Sequence, residues 1–205
     1  MKTIINNTDE KGRLITIDIV KANIYAILSL IPIIIIFGLP FFIIWKDKYS
    51  LTNISTYIHS IGASGIATIS IKLIIVTLLG VVIHELIHGI IWSFYTKKGW
   101  KSINFGFIWQ MLTPYCHCSE PLTVKHYILG SVMPGIILGQ IPALVAIQNG
   151  NIFLLLFGIF FSIAAVGDYM IVFLLRNEAS DSLILDHETE VGCWLLEDNS
   201  KKKDG

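Results

Sequence analysis

His84-Glu85-Leu86-Ile87-His88 lies in an apolar run that carries no other charge from Leu73 to Thr96. An apolar run of that length reads as helix, because strands are shorter. In a helix, residues four apart share one face, about 6 Å from each other. Two imidazoles at that spacing can hold one zinc ion (Zn2+) at about 2.0–2.1 Å each. Glu85 follows the first histidine, where a base can take a proton from water at the metal. So short a motif also arises by chance in soluble helices, where its histidines simply face water. Here they would face lipid or a bundle core, and ionisable residues at such depth are costly and functional by default.

Composition supports the membrane reading. Of the 205 residues only 15% are charged and 54% are hydrophobic, against about 25% charged in a soluble domain. The formal net charge is zero, which gives no electrostatic footprint for nucleic acid as a partner. Three cysteines, two of them in Cys116-His117-Cys118, make no disulfide framework. The length allows one membrane domain and no separate soluble catalytic domain.

The expected fold is an all-α polytopic membrane protein. It has about four transmembrane helices and a short re-entrant or hairpin β segment between the second and third. The spans are about Ala22 to Trp45, Ile69 to Thr96, Tyr127 to Ile147 and Ile152 to Leu175. Residues 1–21 form a polar cytoplasmic segment, 22–176 the membrane-embedded metalloprotease-like domain, and 177–205 a cytoplasmic tail. No small-residue cleavage site follows the first apolar run, which is therefore retained as a span. Pro32 and Pro40 predict kinks in it. Ile54, Ile58 and Ile61 predict a short amphipathic piece on the membrane surface. Asn104 to Leu112 reads as strand, followed by a proline-bounded segment from Thr113 to Pro121. In the tail, Leu183 to Leu196 can form a small hairpin, and Lys201 to Gly205 reads as disordered.

Four spans place both termini on one side. Lys and Arg number four in the N-terminal segment, four from 97 to 125 and four in the tail, against three on the other side. Twelve against three puts both termini inside by the positive-inside rule. The second and fourth spans then both run towards the cytoplasm. His88 lies nine residues before Lys97 and Asp168 eight before Arg176, roughly 14 and 12 Å of helix. The two reach similar depth, and two histidines, one carboxylate and an open position make a catalytic type of zinc site. An acidic residue at the centre of a span costs about 2.5–3.5 kcal/mol on insertion scales. Glu85 and Asp168 are the acidic residues well inside the predicted spans. One site accounts for both.

Other readings stay open on the residues alone. Asp168 could instead be a hydrogen-bonding residue of the bundle, and Glu120 is a rival carboxylate if its loop swings inward. Cys116, His117 and Cys118 could hold a second metal or contact substrate, but a Cys-x-Cys strand packed as small hydrophobes is favoured. Tyr115, His117 and Asn104 are candidates to stabilise an oxyanion if their loop folds over the site.

The motif in an apolar helix, the Pro114-Tyr115-Cys116-His117-Cys118-x-Glu120-Pro121 loop, Met133-Pro134-Gly135 and the late Gly167-Asp168 together resemble the DUF3267 family of zincin-type membrane peptidases. That family is similar to site-2-protease-like intramembrane metalloproteases. The resemblance covers about Ile69 to Leu196. It implies that His84 and His88 are zinc ligands, Glu85 the catalytic glutamate, and Asp168 the late-helix aspartate. Site-2 proteases often carry Asp-Gly at the third ligand, whereas the order here is Gly167-Asp168-Tyr169-Met170.

Together these readings predict a zinc-dependent membrane-embedded endopeptidase with catalytic Glu85 and metal ligands His84, His88 and Asp168. Its partners would be the lipid bilayer and a membrane-protein or peptide substrate, held along the 104–112 strand by β-augmentation. A bacterial cytoplasmic (inner) membrane suits a plain four-span protein. A non-catalytic metal-binding sensor or scaffold and a transporter subunit are the alternatives. An intact Glu85 favours the enzyme, and the lack of evident inverted repeats weakens the transporter.

Overall fold

The structure is a computed structural model and describes residues 12–108, 113–187 and 192–196. The end of the predicted strand at 109–112, the N-terminal residues 1–11 and the segment 197–205 lie outside the described residues.

Helix dominates, as the apolar runs require. Helix α1 (Ile19–Ile33) is capped by the Asp18 side chain, which accepts from the Val20 and Lys21 N–H groups. It passes through a π-helical turn at Ile34–Gly38 into α2 (Leu39–Ile44). The third span is built alike. Helix α4 (Val124–Pro134) leads through a π turn at Gly135–Gln140 into α5 (Ile141–Asn149). Each π turn ends two residues before a proline, Pro40 or Pro142. Proline lacks an N–H and its ring crowds the carbonyl one turn back, and a widened turn relieves both. The kink expected at Pro40 thus takes the form of a π turn.

Between these lies the 43-residue helix α3 (Leu51–Ser93). The surface piece and the second span expected separately are one element, broken at Gly62, where φ is 60° and ψ is −172°. Only glycine adopts that backbone without strain. The buried residues of α3 include Gly80, His84, His88 and Trp92, a stripe at four-residue spacing. It faces the bundle while Ile71, Ile74, Ile75, Leu78, Leu79 and Val82 point outwards. Helices α6 (Ile152–Ala164) and α7 (Val166–Leu175) form the last apolar stretch, bent by 41° where they meet. Among the described residues three helices are long and apolar enough to cross a membrane, or four if this bent pair is one span.

The expectation of an all-α chain with one β segment needs enlarging, because there are two small sheets. Strands β2 (Ile103–Ile108) and β3 (Thr113–Cys118) form the predicted hairpin between the second and third spans, with Phe105 opposite Cys116. Strands β5 (Leu183–Asp186) and β6 (Gly192–Leu196) form the predicted tail hairpin. The second sheet grows by β1 (Gly12–Thr16) on one side and the two-residue β4 (Leu122–Thr123) on the other, in the order β1-β6-β5-β4. β1 and β4 are too short for an alternation to be legible in a polar, mixed sequence.

Two apolar clusters hold the ends of the bundle. Phe37, Phe41, Ala143, Ala146 and Leu155 pack at one end, where Gly150 closes α5 in the left-handed region (φ 66°) against the Trp45 ring. At the other end Trp92, Ile103, Cys118, Tyr127, Leu175, Ile184 and Cys193 join helices to both sheets. The candidate site lies beside this second cluster.

Candidate metal centre

Helix α3 delivers His84 and His88 on consecutive turns, both buried, with ring centroids 4.9 Å apart. Above them Gly80 leaves room for Phe161; a Cβ there would stand 2.4 Å from its ring. Phe161 stacks in turn on the His84 ring. The break before α7 delivers the third group. Asp168 sits in the first turn of α7, where the positive end of the helix dipole favours a carboxylate. Its Oδ2 is 3.2 Å from His84 Nε2 and its Oδ1 is 3.5 Å from His88 Nε2. Among the described residues, these three form the one His/Cys/Asp/Glu group placed to hold a metal, with ligand atoms within 4.8 Å of one another. The depth matching of His88 and Asp168 along the sequence is thus met by contact.

The donor chemistry fits a cation. His88 Nδ1 is 2.9 Å from the Gly130 carbonyl oxygen. A carbonyl only accepts, so Nδ1 carries a proton, and Nε2 is the atom left to face Asp168. Nε2 and the carboxylate can meet at this distance around a positive charge, a proton or a metal ion. Tetrahedral ligands at about 2.0–2.1 Å from zinc stand roughly 3.3–3.4 Å apart, a value that lies between the two separations to Asp168. The Gly130 carbonyl is the outer partner that a zinc-bound histidine normally has. His84 Nδ1 is buried with no hydrogen-bond partner among the described residues.

The hairpin reaches the same helix. Gly89, next to His88, is where it docks; a Cβ there would lie 2.9 Å from Ile103 Cγ2 and from Phe105 Cζ. The Cys116 backbone N–H hydrogen-bonds the Glu85 carboxylate from β3. Behind His88 the Trp92 ring stacks at 5.2 Å, and Tyr127 stacks on Trp92 at 5.1 Å. The Trp92 Nε1–H donates to the Tyr127 carbonyl. The sequence singled out none of Trp92, Tyr127 or Gly130. Trp92 lies four residues after His88, and that spacing was the available signal.

Other candidates are engaged elsewhere. Glu120 accepts from the Lys97 and Lys98 N–H groups (2.8 and 3.2 Å) and from Ser102 Oγ (2.7 Å), so it closes the turn after α3. The Ser102 hydroxyl first, then those amides, hold its carboxyl below the ordinary 4.5. A depressed folded-state pKa gives stability above the unfolded value, lost as pH falls through the folded one. Amide-exchange protection at Lys97 and Lys98 should therefore be full above about pH 4.5 and fall below it. Glu120→Gln should flatten that dependence, and an unchanged profile would show that Glu120 does not hold the turn.

Cys116, His117 and Cys118 join no metal-holding group among the described residues. Cys118 and Cys193 are buried, and burial pushes their thiols up to about 11 and about 12. Both pack in the apolar cluster beside the site. His117 Nδ1 lies 3.4 Å from Asp186 Oδ2, and Tyr115 lies across Gly106.

A family model described as "Putative zincin peptidase", DUF3267, matches residues 77–183. The chain belongs to the DUF3267 family. The match begins in α3 one turn before the buried stripe, contains the hairpin and Asp168, and ends on the first residue of β5. No curated protein and no solved structure matches the chain significantly. Membership in DUF3267 supports a metallopeptidase, with zinc the usual cofactor of a zincin.

Proposed function

We propose that this DUF3267 protein is a membrane-embedded zinc endopeptidase that hydrolyses a peptide bond in or near the bilayer. The observation that carries it is the meeting of His84, His88 and Asp168 one residue from Glu85. In this reading His84 Nε2, His88 Nε2 and the Asp168 carboxylate hold the metal, and Gly130 fixes the His88 tautomer. Zinc, when bound, supplies a Lewis acid that acidifies water and polarises a carbonyl. Glu85 takes a proton from the attacking water and holds it. As the water oxygen bonds to the peptide carbon and the carbon–nitrogen bond breaks, Glu85 gives that proton to the departing amine. The Cys116 amide keeps one side of the Glu85 carboxylate oriented.

The membrane reading is supported by the apolar exterior. Isoleucine and leucine side chains of α1, α2 and α3 such as Ile27, Ile31, Ile43, Ile74 and Leu78 are exposed, which a lipid surround satisfies and water does not. Water need not travel far. His88 is five residues from the end of α3 at Ser93, about 8 Å of helix, on the side that the positive-inside rule makes cytoplasmic.

The substrate is a membrane-protein or peptide segment in extended form. Strand β2 has β3 on one side and no strand on the other among the described residues, so its open edge can pair with such a segment. Proline substitutions along Ile103–Ile108 should then abolish cleavage and leave zinc content intact; cleavage that survives them rules out this mode of binding. The reaction itself is tested by zinc analysis of the purified protein and by Glu85→Gln, whose two readouts separate metal binding from hydrolysis.

A further inference from the structure

Asp186 ends β5, three residues beyond the DUF3267 match. Its carboxylate is nearly buried, and a buried charge is costly unless fully partnered. The partners lie outside its own sheet. Oδ2 accepts from the Cys118 backbone N–H at 3.2 Å and stands 3.4 Å from His117 Nδ1, both on β3. Oδ1 accepts from the Tyr127 hydroxyl at 3.0 Å, on α4. The sheet does not need this carboxylate for cohesion. Asp186 pairs with Cys193 through the backbone, and the ion pairs Arg13–Glu178 and Lys125–Asp181 tie down its surroundings.

Both elements that Asp186 grips lead to the metal centre. Strand β3 carries the Cys116 amide to Glu85. Tyr127 carries the stacked Trp92 ring, and Trp92 carries the His88 ring. Gly130, one turn after Tyr127, admits Trp92 so closely that a Cβ would stand 2.0 Å from its Nε1. A hydrophobic residue at 186 would fill the space but could not fix the register of two elements at once. Polar groups are retained in interiors for that kind of specificity in some proteins.

We propose that Asp186 is a positioning residue for the metal centre, setting His88 through Tyr127 and Trp92 and setting Glu85 through β3. This rests on the metallopeptidase reading above. The test uses the full chain in detergent with Co2+ as the probe, whose visible absorption reports ligand geometry. Asp186→Asn and Tyr127→Phe should each weaken Co2+ binding about 10-fold, the low end for outer-shell partners, and shift the absorption bands. Tyr127→Phe keeps the ring stack and loses one hydroxyl, so it tests the link even if Asp186→Asn fails to fold. The double variant should bind less weakly than the two single losses added together, because Tyr127 and Asp186 share one contact. Arg13→Ala, which loosens the same sheet away from Asp186, should leave binding and spectrum unchanged.

Wild-type binding and spectra in both Asp186→Asn and Tyr127→Phe would overturn the positioning role alone. An equal loss in Arg13→Ala would also overturn it, reducing Asp186 to sheet attachment. A wild-type protein that binds no Co2+ would overturn the metallopeptidase reading and this inference with it.

Discussion

Glu85→Gln should keep its zinc and lose peptide hydrolysis by about 10²–10⁴-fold, the usual worth of a positioned acid–base group. The two effects separate because Glu85 lies on the motif helix but outside the group placed to hold the metal. Glutamine nearly matches glutamate in shape and can still accept from the Cys116 amide. It cannot take a proton from water at neutral pH. Metal content by atomic absorption and cleavage of a membrane-anchored reporter peptide give the two readouts. Loss of zinc in Glu85→Gln would make Glu85 a ligand instead. Full cleavage with an amide at position 85 would remove it from the chemistry. A zinc-binding scaffold without activity would show the metal and no cleavage even in the wild type.

The second large effect is expected at Asp168. Asp168→Ala should cut zinc affinity by more than about 100-fold, beyond the 10–100-fold that outer-shell changes cost. His88→Ala should do the same. The two losses should not add fully, because the carboxylate contacts both imidazoles. Competition with a chelator of known affinity measures this. Zinc retained at wild-type affinity in Asp168→Ala would return Asp168 to the hydrogen-bonding role that the sequence also allows.

The parts of the site legible in the sequence are those that local periodicity or cost encodes. Four-residue spacing on a helix put His84 and His88 on one face without knowledge of the fold. The expense of an acid in an apolar span marked Asp168, and equal depth on parallel helices linked it to His88. The 103–118 hairpin was readable from its aromatic and β-branched residues. What stayed hidden depends on how elements meet. Gly130 carries no motif or spacing that marks it, yet its carbonyl oxygen is 2.9 Å from His88 Nδ1. Trp92, Tyr127 and Asp186 form a chain only because α3, α4 and β5 converge there. Gly62 gave no local sign that the surface piece and the span are one broken helix, and the two-residue β4 has no pattern to read.

The order β1-β6-β5-β4 also constrains how the chain can thread a bilayer. Hydrogen-bonded neighbours in one sheet occupy one side of a membrane, so every excursion away from the sheet must cross an even number of times. Between β1 and β4 the chain runs through Val20–Ile44 and Leu51–Ser93, a matched pair. Between β4 and β5 it runs through Val124–Asn149, which needs a return. In the proposed membrane reading, the bent pair Ile152–Ala164 and Val166–Leu175 would supply that return as a crossing. The bend that presents Asp168 would then be a joint inside a transmembrane element. On that reading, the pairing of a few strand residues favours four crossings over three.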